Sequence, residues 1–157
     1  MAVQPRVIFT RFSSVESLEF RPWIDHLRRV LGKRAPSTVA VGDPTVWQLV
    51  SANNRELARS VELFDGFTSA HAGAKASVAS LPGATVRPVV EEHQGLHGWY
   101  LAVDQAPTVA CARWYLADRE RMQAAGLAVA ALAEATFAEG SRLVLERSQN
   151  GQGERVR

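Results

Sequence analysis

The sequence predicts an α+β fold: an antiparallel sheet built from two pseudo-repeated βββα units, with helices on one face, preceded by an N-terminal strand–helix segment. Three observations predict it. First, Trp47–Ser60 is echoed without a gap at Trp99–Ala112, so that Trp47 aligns with Trp99, Leu49 with Leu101, Leu57 with Val109 and Ala58 with Ala110. Second, each copy reads as strand, tight turn and strand, followed by an alanine-rich helical stretch. Third, an isolated amphipathic helix stands ahead of both copies, over Pro22–Leu31.

Taken in order, Arg6–Phe12 is rich in β-formers and reads as a short strand broken by Ser13-Ser14. Pro22 suits a first helical turn, where its missing N–H would have no partner anyway. Trp23, Ile24, Leu27, Val30 and Leu31 then make one apolar stripe, and Gly32 can take the left-handed conformation that ends a helix. Thr38–Val41 reads as a short strand and Gly42–Pro44 as a turn. Val46–Ser51 and Glu56–Ser60 form a hairpin around Asn53-Asn54, because asparagine tolerates positive φ. Thr68 or Ser69 is expected to cap a helix running to Ser80, closed by Leu81-Pro82-Gly83.

The second copy opens with a valine-rich strand over Thr85–Glu91 and turns through Gln94–Gly98. Trp99–Val103 and Thr108–Ala112 make its hairpin. Asp118 is expected to cap a longer helix to about Phe137, with Met122, Ala125, Val129, Leu132 and Ala133 on one side. Ser141–Glu146 reads as a final short strand, and polar Ser148–Arg157 as a mobile tail. The organisation expected is an extension over residues 1–37, repeats over 38–83 and 84–140, and a strand with tail over 141–157.

The 157 residues carry one cysteine, a net charge of +2, 46% hydrophobic and 22% charged residues. A chain of this length buries roughly 70% of its unfolded surface and needs no disulfide to fold. With Cys111 alone an internal disulfide is excluded, and a reducing, cytoplasmic setting is expected. No basic segment leads into a long apolar run at the start, so no secretory leader is expected. The stretch Ala124–Ala138 is too short and polar to span a bilayer. The pI of about 9.1 comes from arginine, with lysine only at 33 and 75. Arginine and alanine in place of lysine is what a GC-rich genome produces, and +2 falls short of a dedicated DNA binder's field.

Asn53–Ser60, preceded by Trp47-Gln48-Leu49 and followed by an alanine-rich helix, resembles the YegP-like family of unknown function, whose members carry one or two βββα repeats. The resemblance covers roughly Thr38 to Phe137. It departs where Asn54 stands for the glycine of the turn and where the second turn reads Asp104–Pro107. The aromatic positions of the pattern fall on Phe64 and Tyr115, with one residue of slippage. The resemblance implies a fold and no catalytic motif.

Chemistry-bearing residues are few. His93 and His97 lie beside Glu91 and Glu92, but Gly95 and Gly98 make this a loop rather than a helical metal-ligand pair. Cys111 reads as a buried structural thiol, since no Cys–His signature surrounds it. No nucleophile elbow and no phosphate-binding loop occurs. Neither an enzyme nor a cofactor or metal site is expected. Trp23, Trp47 and Trp99 have periodic apolar company and are assigned to the core. Trp114, in Arg113-Trp114-Tyr115 at a strand-to-helix junction, has the charged Glu62 as its counterpart and is assigned to an interface. The expected function is a non-enzymatic protein–protein interaction module that forms a homodimer through a sheet edge or the Trp114 region, or takes another protein partner. The alternative is a nucleic-acid-associated protein using Arg28, Arg29, Lys33 and Arg34 around one helix end.

Overall fold

A computed structural model describes residues 4–38 and 42–145. Its strands are β1 (Arg6–Phe12), β2 (Thr45–Val50), β3 (Glu56–Ser60), β4 (Thr85–Glu91), β5 (Leu96–Val103), β6 (Ala106–Cys111) and β7 (Thr136–Val144). Its helices are α1 (Arg21–Leu31), α2 (Phe67–Ala79) and α3 (Asp118–Glu134). The seven strands form one sheet in the order β4-β5-β6-β3-β2-β1-β7. Neighbours run antiparallel except β1 and β7, which are parallel. The sheet is therefore mixed, not purely antiparallel, because the chain leaving α3 is laid along β1 in β1's own direction. The mostly apolar β1 sits inside the sheet, between β2 and β7.

Side-chain alternation places the helices. Phe9 stands opposite Trp47, and Gln48 opposite Arg59. Successive residues of a strand point to opposite faces, so Phe9 and Trp47 share one face and Gln48 and Arg59 the other. The Phe9 ring lies 5.0 Å from Phe67 and 5.6 Å from His71, both in α2. The Arg59 guanidinium lies 4.1 Å from the Trp23 ring centroid in α1. Thus α1 and α2 cover opposite faces, and the expectation of helices on one face fails for α1. The reason is visible in β5, where Trp99, Tyr100, Leu101 and Ala102 are buried in succession. A strand apolar on both sides needs a cover on both sides.

The α1 stripe behaves as its spacing predicts: Trp23, Ile24, Leu27, Val30 and Leu31 are all buried, and Gly32 follows at φ +60°. Trp47 and Trp99 are 1% and 0% exposed and anchor the core. In the hairpins, Asn54 sits at φ +67°. Asp104 and Gln105, at φ +50° and +77°, form a two-residue loop whose twist matches the flanking strands.

Several boundaries move. Gly66, not Thr68 or Ser69, precedes α2, and the Ser69 hydroxyl donates to Asp65 Oδ1 at 2.7 Å from inside the first turn. Ala117 precedes α3, and its N–H donates to the Glu120 carboxylate at 3.2 Å, which leaves Asp118 within the helix. The helix stops at Glu134 instead of Phe137. Residues Thr136 and Phe137 instead pair with Arg6 and Val7, so the final strand is longer and starts earlier than Ser141–Glu146. The buried side of α3 is Arg121, Ala125, Ala128 and Leu132, while Met122 is 58% exposed. Ala125 and Leu132 are buried as expected, but in an alanine-rich helix the apolar phase is weak, and packing turned Arg121 and Ala128 inward and left Met122 and Ala133 exposed. The turn before β5 closes at Gly95, so His97 and Gly98 belong to a strand. The strand expected over Thr38–Val41 falls largely, and the mobile tail wholly, outside the described residues.

Candidate interaction surface

The two groups of residues expected to carry alternative functions meet at one place. His26 and Arg29 are three residues apart on α1 and project toward the junction after β6. The Trp114 ring lies there, 6.0 Å from the His26 ring and 5.2 Å from the Arg29 guanidinium carbon. Burial and the charge of Arg59 push the His26 imidazole down to about 4. His26 Nε2 lies 2.8 Å from the Cys111 carbonyl oxygen. A carbonyl only accepts, so Nε2 carries the proton and donates. This histidine ties α1 to β6, and its local sequence alone does not single it out.

Trp114 is half-buried, with its Nε1 enclosed and without a hydrogen-bond partner. A Cβ placed on Gly98 would fall 2.8 Å from the Trp114 ring and 3.2 Å from Cys111 Sγ. Glycine at 98 thus makes the space in which the indole lies. Gly98→Ala is expected to destabilise the protein by roughly 1–2 kcal/mol through overpacking. Urea denaturation checks this, and an unchanged midpoint would mean that the ring swings clear at no cost.

Around this centre, Arg34 Nη1 donates to the Tyr100 hydroxyl at 2.8 Å, and Arg28 lies 3.8 Å from Asp25. The four basic residues are exposed, as are Arg113 and Leu116, the latter at 83%. Tyr115 is different: its backbone N–H and carbonyl exchange hydrogen bonds with His97 at 2.8 and 2.7 Å, and its half-buried phenol is pushed up by burial. His97 Nδ1 faces Asp118 at 3.8 Å, whereas His93 belongs to a turn in which its N–H donates to the Glu91 carboxylate. Cys111 is buried and its thiol is pushed up to about 11 by desolvation, so it is a poor nucleophile at neutral pH.

The ungapped alignment holds for the first strand of each hairpin but slips by one residue at the turn, since Leu49 stands opposite Ala58 while Leu101 stands opposite Val109, which makes Ala58, not Leu57, the counterpart of Val109. The Trp47 N–H donates to Ser60 Oγ, 13 residues on, whereas the Trp99 N–H donates to Cys111 Sγ, 12 residues on. A cavity of about 370 Å³ also escaped the residue-level reading; it lies between α2 and the β5–β6 hairpin, above Trp47. Its one sequence signal is Gly73, a glycine inside a helix, which costs about 1 kcal/mol against alanine and so calls for a packing reason.

This architecture is an α+β sheet fold already seen in proteins of unknown function. The solution structure of yegP from E. coli matches with a TM-score of 0.53 at 13% identity, over 88% of this chain and 94% of that one. The UPF0339 protein SO3888 from Shewanella oneidensis matches with a TM-score of 0.52 at 11% identity, over 88% and 92%. The resemblance to YegP-like proteins is thus met at the level of fold. No protein-family profile matches the chain, and no curated protein sequence does. Among the described residues, no helix is long and apolar enough to cross a membrane.

Proposed function

We propose that the chain is a non-enzymatic cytoplasmic interaction module that pairs with a second copy of itself through the surface formed by Arg29, Arg113, Trp114 and Leu116. The observation that carries this reading is the junction itself: an arginine stacked on a half-buried tryptophan, next to a leucine that is 83% exposed. Arginine and tryptophan are favoured anchors of protein interfaces, and an isologous dimer is the commonest assembly. The β4 edge offers less, because Pro88 in its middle lacks an N–H to give a neighbouring strand. A buried thiol and a histidine bonded to a backbone carbonyl supply neither nucleophile nor free base, which suits a binding role.

In place of a separate extension over 1–37 and a first repeat over 38–83, we read the module as two βββα units, β1-β2-β3-α2 and β4-β5-β6-α3, with α1 inserted after the first strand. Support comes from matching bridges, Thr45 with Phe64 and His97 with Tyr115, each followed three residues later by the start of a helix.

Leu116→Asp tests the interface without disturbing the core. Sedimentation equilibrium should show a wild-type dimer whose dissociation constant rises at least tenfold in Leu116→Asp and in Trp114→Ala. A monomeric wild type, or a dimer indifferent to both changes, would reject the reading. Nucleic-acid binding through Arg28, Arg29, Lys33 and Arg34 is the weaker reading, since three of the four already have partners in Asp25, Trp114 and Tyr100. It would show as binding that falls steeply with salt and weakens in Arg28→Ala/Arg29→Ala.

A further inference from the structure

We propose that the cavity between α2 and the β5–β6 hairpin is a binding site for a small organic cation, an ammonium group carried on an apolar body. At about 370 Å³ it lies at the lower end of the range of small-molecule sites. Its walls are aromatic and small: Trp47 on the sheet, Phe64 at the side and Gly73 on the helix. The Phe64 ring passes so close to α2 that a Cβ on Gly73 would fall 2.4 Å from it. Glycine at 73 therefore lets Phe64 form a wall instead of being driven into the space.

The polar lining decides the ligand's charge. The Ser60 hydroxyl donates to the Glu62 carbonyl, Ser80 to the Ser77 carbonyl and Thr108 to the Leu101 carbonyl. With those protons committed to backbone oxygens, three of the four lining hydroxyls offer a ligand only lone pairs, one of Ser60's being taken by the Trp47 N–H, and only the fourth, Ser77, retains a proton to give. Glu62 is the charged residue among the described residues of the lining, and its carboxylate also only accepts. The site is thus rich in acceptors and poor in donors, which favours N–H donors and disfavours anions. Phe64 and Trp47 also line the cavity, and a cation seated over either ring would gain further attraction. By the matching bridges Thr45–Phe64 and His97–Tyr115, the position matching Glu62 in the other half of the chain is Arg113, so no matching carboxylate stands there.

The test is a nitrogen–proton NMR titration with three probes of one shape: 2-phenylethylammonium, 2-phenylethanol and phenylacetate. The ammonium should shift the Gly73 and Thr108 amides and the Trp47 indole saturably, the alcohol more weakly, and the anion not at all. Glu62→Gln, at an exposed position, should lower ammonium affinity roughly fivefold, as loss of one solvent-facing ion pair does. Ala76→Phe, on the exposed side of α2 that lines the cavity, should abolish binding of all probes. Equal shifts with all three probes would overturn the proposal. So would ammonium affinity unchanged by Glu62→Gln, binding that survives Ala76→Phe, or no response at millimolar concentration.

Discussion

Replacing Arg59 by alanine is expected to destabilise the protein by about 3 kcal/mol, the usual cost of removing one partner from a largely buried ion pair. Arg59 reaches Glu56 with two hydrogen bonds, at 3.0 and 2.8 Å, and the two side chains are only 12% and 22% exposed. Its guanidinium also stacks on Trp23, which makes it the centre of the contact between α1 and the sheet. Alanine leaves the Glu56 carboxylate half-buried without its counter-charge and uncovers the Trp23 face. Urea denaturation of Arg59→Ala beside the double variant Glu56→Leu/Arg59→Met separates these effects. The double variant should recover more than half of the loss, because it removes both charges and keeps the volume. A loss below about 1 kcal/mol in Arg59→Ala would place the pair with surface ion pairs.

Acid should weaken the same contact through His26. Its folded value of about 4 lies below the ordinary histidine value of 6.5, with burial as the largest cause and the Arg59 charge the next. Below pH 6.5 the unfolded chain takes up a proton that the folded chain refuses, so stability falls as the pH drops toward 4 and is fully present above 6.5. Between pH 7 and 4.5 the loss attributable to His26 is about 2.5 kcal/mol. His26→Gln retains a donor for the Cys111 carbonyl but does not titrate. The difference between wild-type and His26→Gln pH profiles should therefore carry this slope. Parallel profiles would show that the imidazole remains solvated. Arg59→Ala should shrink the slope, since it removes a positive charge that opposes protonation.

What could be read from the residues divides by how strongly local pattern constrains the answer. Five large apolar residues at helical spacing made α1 unambiguous, and all five are buried. Trp23, Trp47 and Trp99 were identifiable as core from their periodic company. The start of α3 was placed within a residue, but its alanines bury little area whichever way they face, so Met122 and Arg121 exchanged places. Only the part of Thr136–Val144 from Ser141 on was legible as a strand, because Glu139 and Gly140 interrupt the pattern before it. The whole segment becomes a strand because β1 offers it a free edge.

The candidate site follows the same division. Trp114 and the basic residues of α1 were singled out for opposite functions, and only the packing of α1 against the β6 junction put Arg29 over Trp114. His26 and Arg59 have no local pattern to mark them; each acquires its role from a partner on another element, Cys111 in one case and Trp23 in the other. The cavity depends on Gly73 and Phe64, nine residues apart, with the hairpin that closes it contributed from beyond residue 100. The sequence by itself determined where most helices and strands lie and which side of α1 avoids water, since periodicity records a residue's direction relative to its own element. The tertiary structure decided which face of the sheet each helix covers, which strands are neighbours and which polar groups meet. Those depend on what stands across the gap, and a local pattern carries no record of that.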